Sequence, residues 1–215
     1  MKKTLLLILI VSLILGVYAY ADGFFIDKEI SSLEKSIKRI DRTISDEREI
    51  LNLAEKYNLE DSENIVGIIF SYNNCKEIPV SEQPIEGTRE FGADEIYFKD
   101  IVTTEERGEL LRSSYYTYPG GTMTVSDSVS ASFSTTVGLS SVVVSAEIGF
   151  DVTATYSISD SQNISVPYGK TYNVKAYVNN QKKSFEIWED DLLFDDYLGT
   201  GETYKPIGVI FVIYR

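Results

Sequence analysis

The chain has 215 residues, a formal net charge of −13 and no histidine. The lack of imidazole excludes Ser-His-Asp and Cys-His catalysis, His-Glu-x-x-His metalloprotease sites and ordinary imidazole zinc or copper sites. The negative charge repels phosphate backbones, so we expect no nucleic-acid partner. An enzyme would need a carboxylate-only mechanism, and we therefore expect a non-catalytic protein.

The amino terminus has the pattern of a secretion signal. Two lysines at 2–3 precede an apolar run over 4–17, and Ala19 and Ala21 supply the small residues that signal peptidase reads. The run is short for a membrane-spanning helix, which needs about 20 residues. We therefore expect residues 1–21 to be a cleaved signal peptide and the protein to be secreted, extracellular or associated with the cell surface.

Residues 22–58 are predicted to form an amphipathic helix. Apolar side chains recur at steps of three and four residues from Ile26 to Ile44 and again at Leu51 and Ala54, and only Glu47 interrupts this helical stripe. Glu34 and Lys38 have the favourable i,i+4 spacing. A stripe of about four heptads fits either a coiled coil in a homo-oligomer or a helix packed against its own chain.

Residues 59–94 are predicted to be a connector with one buried strand at 65–72, followed by a Pro- and Gly-punctuated loop. Cys75 is the single cysteine, so the chain has no internal disulfide. Its thiol fits either a bridge between two chains or a small apolar group packed beneath a strand.

Residues 95–215 are predicted to form the β-rich domain. We expect a mainly antiparallel fold, either a β-sandwich or an elongated twisted sheet. Its first strands are expected at 95–102 and 110–118, separated by a polar turn. In the tail, a strand at 182–188 is expected to lead through a turn at 199–201 into a buried closing strand at 206–215.

The most regular pattern runs from Thr122 to Ser159. Apolar residues occupy odd positions up to Leu139 and even positions from Val142, so the phase changes near residues 138–141. This predicts two strands of about sixteen residues joined by a bulge or turn. They fit a strand pair with a solvated Ser/Thr face, or a membrane-inserting hairpin, which needs about 9–11 residues per strand.

The segment Val-Pro-Tyr-Gly-Lys-Thr-Tyr-Asn-Val-Lys-Ala-Tyr at 166–177 follows this alternating ribbon, with a turn expected at Pro167 to Gly169. With the Ser/Thr-rich strands before it, the stretch 122–178 resembles the aerolysin-like pore-forming toxins of the epsilon-toxin and mosquitocidal-toxin branch. That resemblance implies barrel-forming strands within 126–157, although no apolar-tipped hairpin separates them. The stretch and tail also resemble small secreted proteins of Gram-positive bacteria, which implies no activity.

The tail carries four aspartates that are candidate calcium ligands, because calcium binds six to eight oxygens. Their spacing is not that of an EF-hand, and a solvated acidic loop is the other interpretation. The candidate ligands are Asp190, Asp191, Asp195 and Asp196.

Five tyrosines in predicted strands or turns are candidate ligand-facing aromatics. Tyrosine stacks on sugar rings or peptide groups, and it also fills half-buried positions of sheets. The five are Tyr115, Tyr116, Tyr118, Tyr168 and Tyr197. The expected function is therefore binding of an extracellular protein or glycan by a secreted bacterial protein. The alternative is a small β-pore-forming protein, and only that alternative needs a membrane as partner.

Overall fold

Three long neighbouring strands form the centre of the fold. The computed structural model describes residues 41–72, 75–78, 95–190 and 195–215. The long strands are β4 (Glu95–Thr117), β8 (Thr171–Asp190) and β9 (Asp196–Tyr214). They pair antiparallel, with β8 between β4 and β9. The fold is therefore mainly β and antiparallel, which confirms the expected fold class at that level.

Shorter elements complete two sheets. They are β1 (Arg42–Ile44), α1 (Glu47–Lys56), a 3-10 turn (Ser62–Asn64), β2 (Ile65–Ser71), β3 (Cys75–Glu77), β5 (Gly120–Ser130), β6 (Ser132–Thr135), α2 (Ser141–Ile148) and β7 (Thr155–Ser165). The larger sheet has the order β1-β2-β9-β8-β4, and β6 also pairs with β9. The smaller sheet has the order β3-β7-β5. No helix in these described ranges is long and apolar enough to cross a bilayer.

Helix α1 packs on the β2 side of the larger sheet. Asp46 caps the helix, since its carboxylate accepts hydrogen bonds from the backbone N–H groups of Arg48 and Glu49. The buried side of α1 joins a core cluster with residues of β2 and β9, among them Ile50, Leu53, Ala54, Phe70 and Ile210. This burial fixes the helix against the sheet.

The single helix expected over 22–58 is wrong for its described part between 41 and 46. Residues 42–44 form β1, which pairs with β2 and buries Ile44. Thr43 and Ile44 are β-branched, so they suit a strand when a partner edge is available. Residues 47–56 of the expected helix form α1. Residues 22–40 lie outside the described residues, as do the signal peptide and its cleavage site.

A second core cluster joins the two sheets. Met123 and Val125 of β5 and Ile158 of β7 pack with Val174 and Phe211 of the larger sheet. The intervening residues of β5, such as Thr124 and Ser126, are exposed. The period-two pattern thus predicted the buried and solvated faces of β5 and β7 correctly.

The second half of the alternating ribbon does not form the expected strand. Residues 141–148 are helix α2, which starts at a Ser140 cap and ends at Gly149 in the left-handed region. Val144 and Ile148 are buried in a cluster with Phe185 and Ile187 of β8. The strand pattern of 142–154 is overridden here because the helix buries its side chains on β8 and has both caps.

Two expected turns are absent. Residues 103–109 continue β4 as a bulged strand along β8, with Asp100 at φ 51° and shifts of register nearby. Residues 199–201 lie inside β9. At Gly201 an added Cβ would lie 2.5 Å from the Phe185 ring, so glycine serves close packing there instead of a turn. The strand at 65–72 and the turn after β7, by contrast, are confirmed.

Candidate functional site

A groove of about 550 Å³ opens on the larger sheet, at the half where β9 pairs with β6 and not with β2. Its floor is formed by β4, β8 and β9 together with β6, which pairs with β9 in the same sheet. The polar lining residues are Asp100, Ser134, Thr135, Thr136, Ser184, Glu186, Thr200 and Glu202. This volume lies within the range of small-molecule binding sites in proteins.

Strand alternation and register place these side chains together. Phe185 and Ile187 are buried against α2, so Ser184 and Glu186 point to the opposite face of β8. Cross-strand pairing sets Ser184 opposite Glu202, and Glu186 opposite Thr200. The groove therefore combines hydroxyls, which donate and accept hydrogen bonds, with carboxylates, which accept them.

Lys182 forms ion pairs with two glutamates at the acidic side of the groove. Its Nζ lies 2.9 Å from Glu202 Oε1 and 3.4 Å from Glu106 Oε2. The hydrogen bond from Lys182, together with that from Tyr204, lowers the pKa of Glu202, and the same bond to Glu202 raises the pKa of Lys182. Glu202 is therefore ionised and held in one place at neutral pH.

An aromatic row crosses the three long strands at the end of the groove. Trp188 of β8 pairs with Tyr97 of β4 on one side and Tyr197 of β9 on the other. The Trp188 and Tyr197 ring centroids are 5.4 Å apart at 68°. The indole Nε1 of Trp188 donates a 2.9 Å hydrogen bond to Glu186 Oε2, which connects the row to the groove lining.

Lys99 covers part of this aromatic row. Its ammonium lies 4.4 Å from the Trp188 ring centroid and 4.8 Å from that of Tyr97. The same Nζ donates a 2.9 Å hydrogen bond to Asp195 Oδ2. Hydrogen bonds from Tyr97 and Lys99 lower the pKa of Asp195.

The structure thus shows Asp195 engaged with two side chains of β4. Asp190 ends β8 and Asp196 begins β9, whereas Asp191 lies outside the described residues. In the described ranges no three acidic, histidine or cysteine side chains come together as a metal site. The arrangement around Asp195 therefore lends no support to a calcium site, and it suits an ion pair instead.

The other candidate tyrosines lie at the opposite end of the long strands. Tyr115, Tyr118 and Tyr168 are 75%, 59% and 87% exposed. The Tyr118 and Tyr168 rings meet edge to face with centroids 5.6 Å apart. Tyr116, by contrast, is half-buried against the core cluster between the sheets. The five candidates therefore divide into an exposed tyrosine end (Tyr115, Tyr118 and Tyr168), a core residue and the separate Tyr197.

Two turns hold the tyrosine end. The backbone N–H of Val166 donates a 3.1 Å hydrogen bond to the carbonyl of Pro119, which links the β4–β5 turn to the β7–β8 turn. Gly120 has φ 115°, and a Cβ there would strike the backbone of Ile164. The Tyr118 and Tyr168 rings are thus mounted on a tightly packed double turn.

Cys75 is half-buried at the start of β3. Its Sγ donates a 3.3 Å hydrogen bond to the carbonyl of Pro206, and burial raises the pKa of the thiol to about 11. Of the two sequence interpretations, this geometry favours a small packed group over a bridge between chains.

Sequence reasoning missed the groove and its aromatic row, although the signal was present. In the expected strand 182–188, the polar residues Lys182, Ser184 and Glu186 alternate with Phe185 and Ile187. What the sequence could not supply is which strands flank this polar face.

No protein-family model matches the chain, and no curated protein matches it.

Proposed function

We propose that this chain is a secreted, non-catalytic bacterial protein that binds an extracellular protein or glycan on a sandwich-like β scaffold. The observation that carries the proposal is the tyrosine end. Large aromatic rings that are exposed and paired on packed turns provide contact area with little loss of conformational entropy on binding. Secretion is inferred from the amino-terminal pattern described above.

Rigidity is the physical reason to prefer this end as the contact surface. A tyrosine side chain has two rotatable angles, and here the turns that carry Tyr118 and Tyr168 are joined by a backbone hydrogen bond. Exposed aromatic clusters of this kind are enriched at binding hot spots. A partner would cover both rings at once.

The test is retention on immobilised bacterial cell-wall material, glycans and surface proteins. We expect Tyr118→Ala with Tyr168→Ala to weaken retention at least about tenfold, which corresponds to about 1.4 kcal/mol. Leu51→Ala, at an exposed apolar position of α1, is the control and should leave this retention unchanged. Equal retention by the double variant and the wild type would contradict the proposal.

A specific observation favours the β-pore-forming alternative as a second candidate. Strands β5 and β7 already pair from Gly120 opposite Ser165 to Ser130 opposite Thr155, and the Ala131 N–H still bonds the Ala154 carbonyl at 2.8 Å. Residues 132–153 connect the two strands, and their sequence has the apolar/polar alternation of a strand. If the same register continued, apolar residues would face each other across the hairpin.

The continued register has a simple consequence for the two faces of the hairpin. Phe133 would lie opposite Val152, and Leu139 opposite Ala146. The other face would be polar, with serines, threonines and glycines together with Glu147 and Asp151. A pair of strands with one apolar and one polar face is what a β-hairpin needs to cross a bilayer. Helix α2 would have to unfold and β6 would have to separate from β9 first.

This alternative can be tested with a residue that is exposed in the soluble fold. Ala146 is exposed on α2, so Ala146→Asp should leave the soluble protein intact, yet it would put a carboxylate on the lipid face of the extended hairpin. If the wild type releases dye from liposomes, we expect Ala146→Asp to abolish release. Ser140→Asp, at the helix cap and on the polar face, is the control that should retain it. A wild type that releases no dye would end this alternative.

A further inference from the structure

We infer that the groove beside Trp188 is a second binding site, and that its ligand is a short neutral oligosaccharide. The site lies at the opposite end of the long strands from the tyrosine end. It therefore goes beyond the proposed function, and each can fail without the other. The inference rests on three features of the groove: its hydroxyls, its charge and its aromatic edge.

The hydroxyl lining matches the chemistry of a sugar. Ser184 and Thr200 lie on adjacent strands of the groove floor, and each hydroxyl both donates and accepts. Glu186 adds a carboxylate that accepts hydrogen bonds from ligand hydroxyls, and it already accepts one from the Trp188 indole. A ligand rich in vicinal hydroxyl groups pairs with such a mixed surface without leaving polar groups unsatisfied.

Charge selects a neutral ligand. Asp100, Glu186 and Glu202 line the groove, and Lys182 is the basic side chain paired with Glu202. The three lining carboxylates therefore outnumber the two nearby ammonium groups, those of Lys182 and of Lys99 over the Trp188 ring, within a chain whose net charge is −13. Uronic acids, sulfated sugars and phosphate esters would be repelled from this site.

The exposed ring of Tyr197 provides an apolar face next to the polar groove, whereas Lys99 lies over the rings of Trp188 and Tyr97. Tyr197 is 53% exposed and packs edge to face with Trp188. Sugar rings present C–H groups on one face and hydroxyls around the rim, so they suit an aromatic ring that adjoins hydrogen-bonding side chains. The groove and Tyr197 together offer both types of contact.

Trp188 is the single tryptophan of the chain and makes the site observable. We would titrate the full-length mature protein with β-linked tetramers of glucose and of N-acetylglucosamine. Emission from Trp188 and calorimetry should both give saturable binding to at least one tetramer, with a dissociation constant below about 1 mM. A tetramer of galacturonic acid should bind at least about tenfold more weakly because it is anionic.

Variants separate the groove from other surfaces. Glu186→Ala and Tyr197→Ala should each weaken calorimetric binding at least about tenfold. Glu189→Ala, on the other face of the same strand, and Tyr115→Ala, at the tyrosine end, should leave it unchanged. If Glu186→Ala lowers the melting temperature, Ser184→Ala replaces it as the groove variant.

Three results would overturn the inference. They are no saturable binding of either neutral tetramer up to about 10 mM, equal binding by the groove variants and their controls, or tighter binding of the anionic tetramer. Because the tyrosine-end variants are read by retention on cell-surface material, loss there with intact groove binding would identify two independent sites.

Discussion

Glu105 is the residue that ties β4 to the α1 side of the fold. Its Oε2 accepts hydrogen bonds from Tyr72 OH at 2.9 Å, and from Tyr57 OH and Asn179 Nδ2 at 3.3 Å. Burial, and then the charge of Glu105, raise the pKa of Tyr57. One carboxylate thus satisfies donors from three separate parts of the chain: the ends of α1 and β2, and β8.

We expect Glu105→Ala to destabilise the protein by about 2–3 kcal/mol, because it leaves partly buried donors without their acceptor. Glu106→Ala is the matched control. Glu106 is the next residue along β4, and its substitution removes a partly exposed ion pair with Lys182, which should cost about 0.5 kcal/mol or less. Urea unfolding of both variants measures the difference, and equal costs would contradict the role given to Glu105.

The Cys75 thiol should be unreactive near neutral pH. With its pKa raised to about 11, the thiolate fraction at pH 8 is roughly a hundredfold smaller than that of an ordinary thiol. The raised folded-state pKa contributes stability that is complete below the unfolded value of 9.0 and is lost as the pH rises through about 11. We expect slow reaction with a disulfide reagent in the folded state and fast reaction in guanidinium. Similar rates in both would mean that the thiol is accessible.

Among the elements, α2 has the sequence least typical of its structure. It contains three consecutive valines, which favour strands over helices because branching at Cβ restricts their rotamers. Ser140 caps its start, and Gly149 ends it with φ 81°. The caps and the contact of Val144 with β8 therefore stabilise a helix that local preference alone would not form.

A pair of glycines tests this account of α2. An added Cβ meets no atom within 4 Å at either Gly138 or Gly149, but only Gly149 has a left-handed backbone. We expect Gly149→Ala to destabilise the protein by about 1 kcal/mol and Gly138→Ala by less than about 0.5 kcal/mol. Thermal or urea unfolding gives both values. A Gly149→Ala variant as stable as the wild type would contradict the capping role.

Local pattern predicted some elements well for physical reasons. The buried strand β2 is a dense run of branched apolar residues, and β5 shows strict alternation that a single solvated face explains. β1 was missed because Ile44 also continues the helical stripe, and only pairing with β2 makes it a strand. The interruption expected in β4 was wrong because bulges let polar residues remain in a strand that β8 pairs along its length.

At the scale of the whole molecule, charge should control stability. Because the net charge is −13, the excess carboxylates repel one another more strongly in the compact state than in the unfolded chain. We expect the melting temperature at pH 7 to rise by about 2–5 °C between low and about 0.5 M salt, because salt screens this repulsion. Near pH 4.5, the isoelectric point, the rise should largely disappear. The same salt response at both pH values would contradict this explanation.

The groove and the tyrosine end show how the long strands organise the whole molecule. Trp188 and Tyr172 belong to one strand, β8, but lie near its two ends. The two ends of β8 therefore pair with different residues of β4 and β9, and the two surfaces remain separate. A twenty-residue strand thus presents two different chemical surfaces on one continuous sheet.

The amino-acid sequence by itself determined the mainly β class, the buried and solvated faces of β5 and β7, and the exclusion of histidine chemistry. These properties depend on composition and on period-two alternation, which act between near neighbours. Only the tertiary structure decided that 141–148 is helical, that β4 runs unbroken, and that Glu186, Thr200 and Trp188 adjoin one groove. Those outcomes depend on pairing and burial between residues far apart in the chain, and such contacts can outweigh local preference.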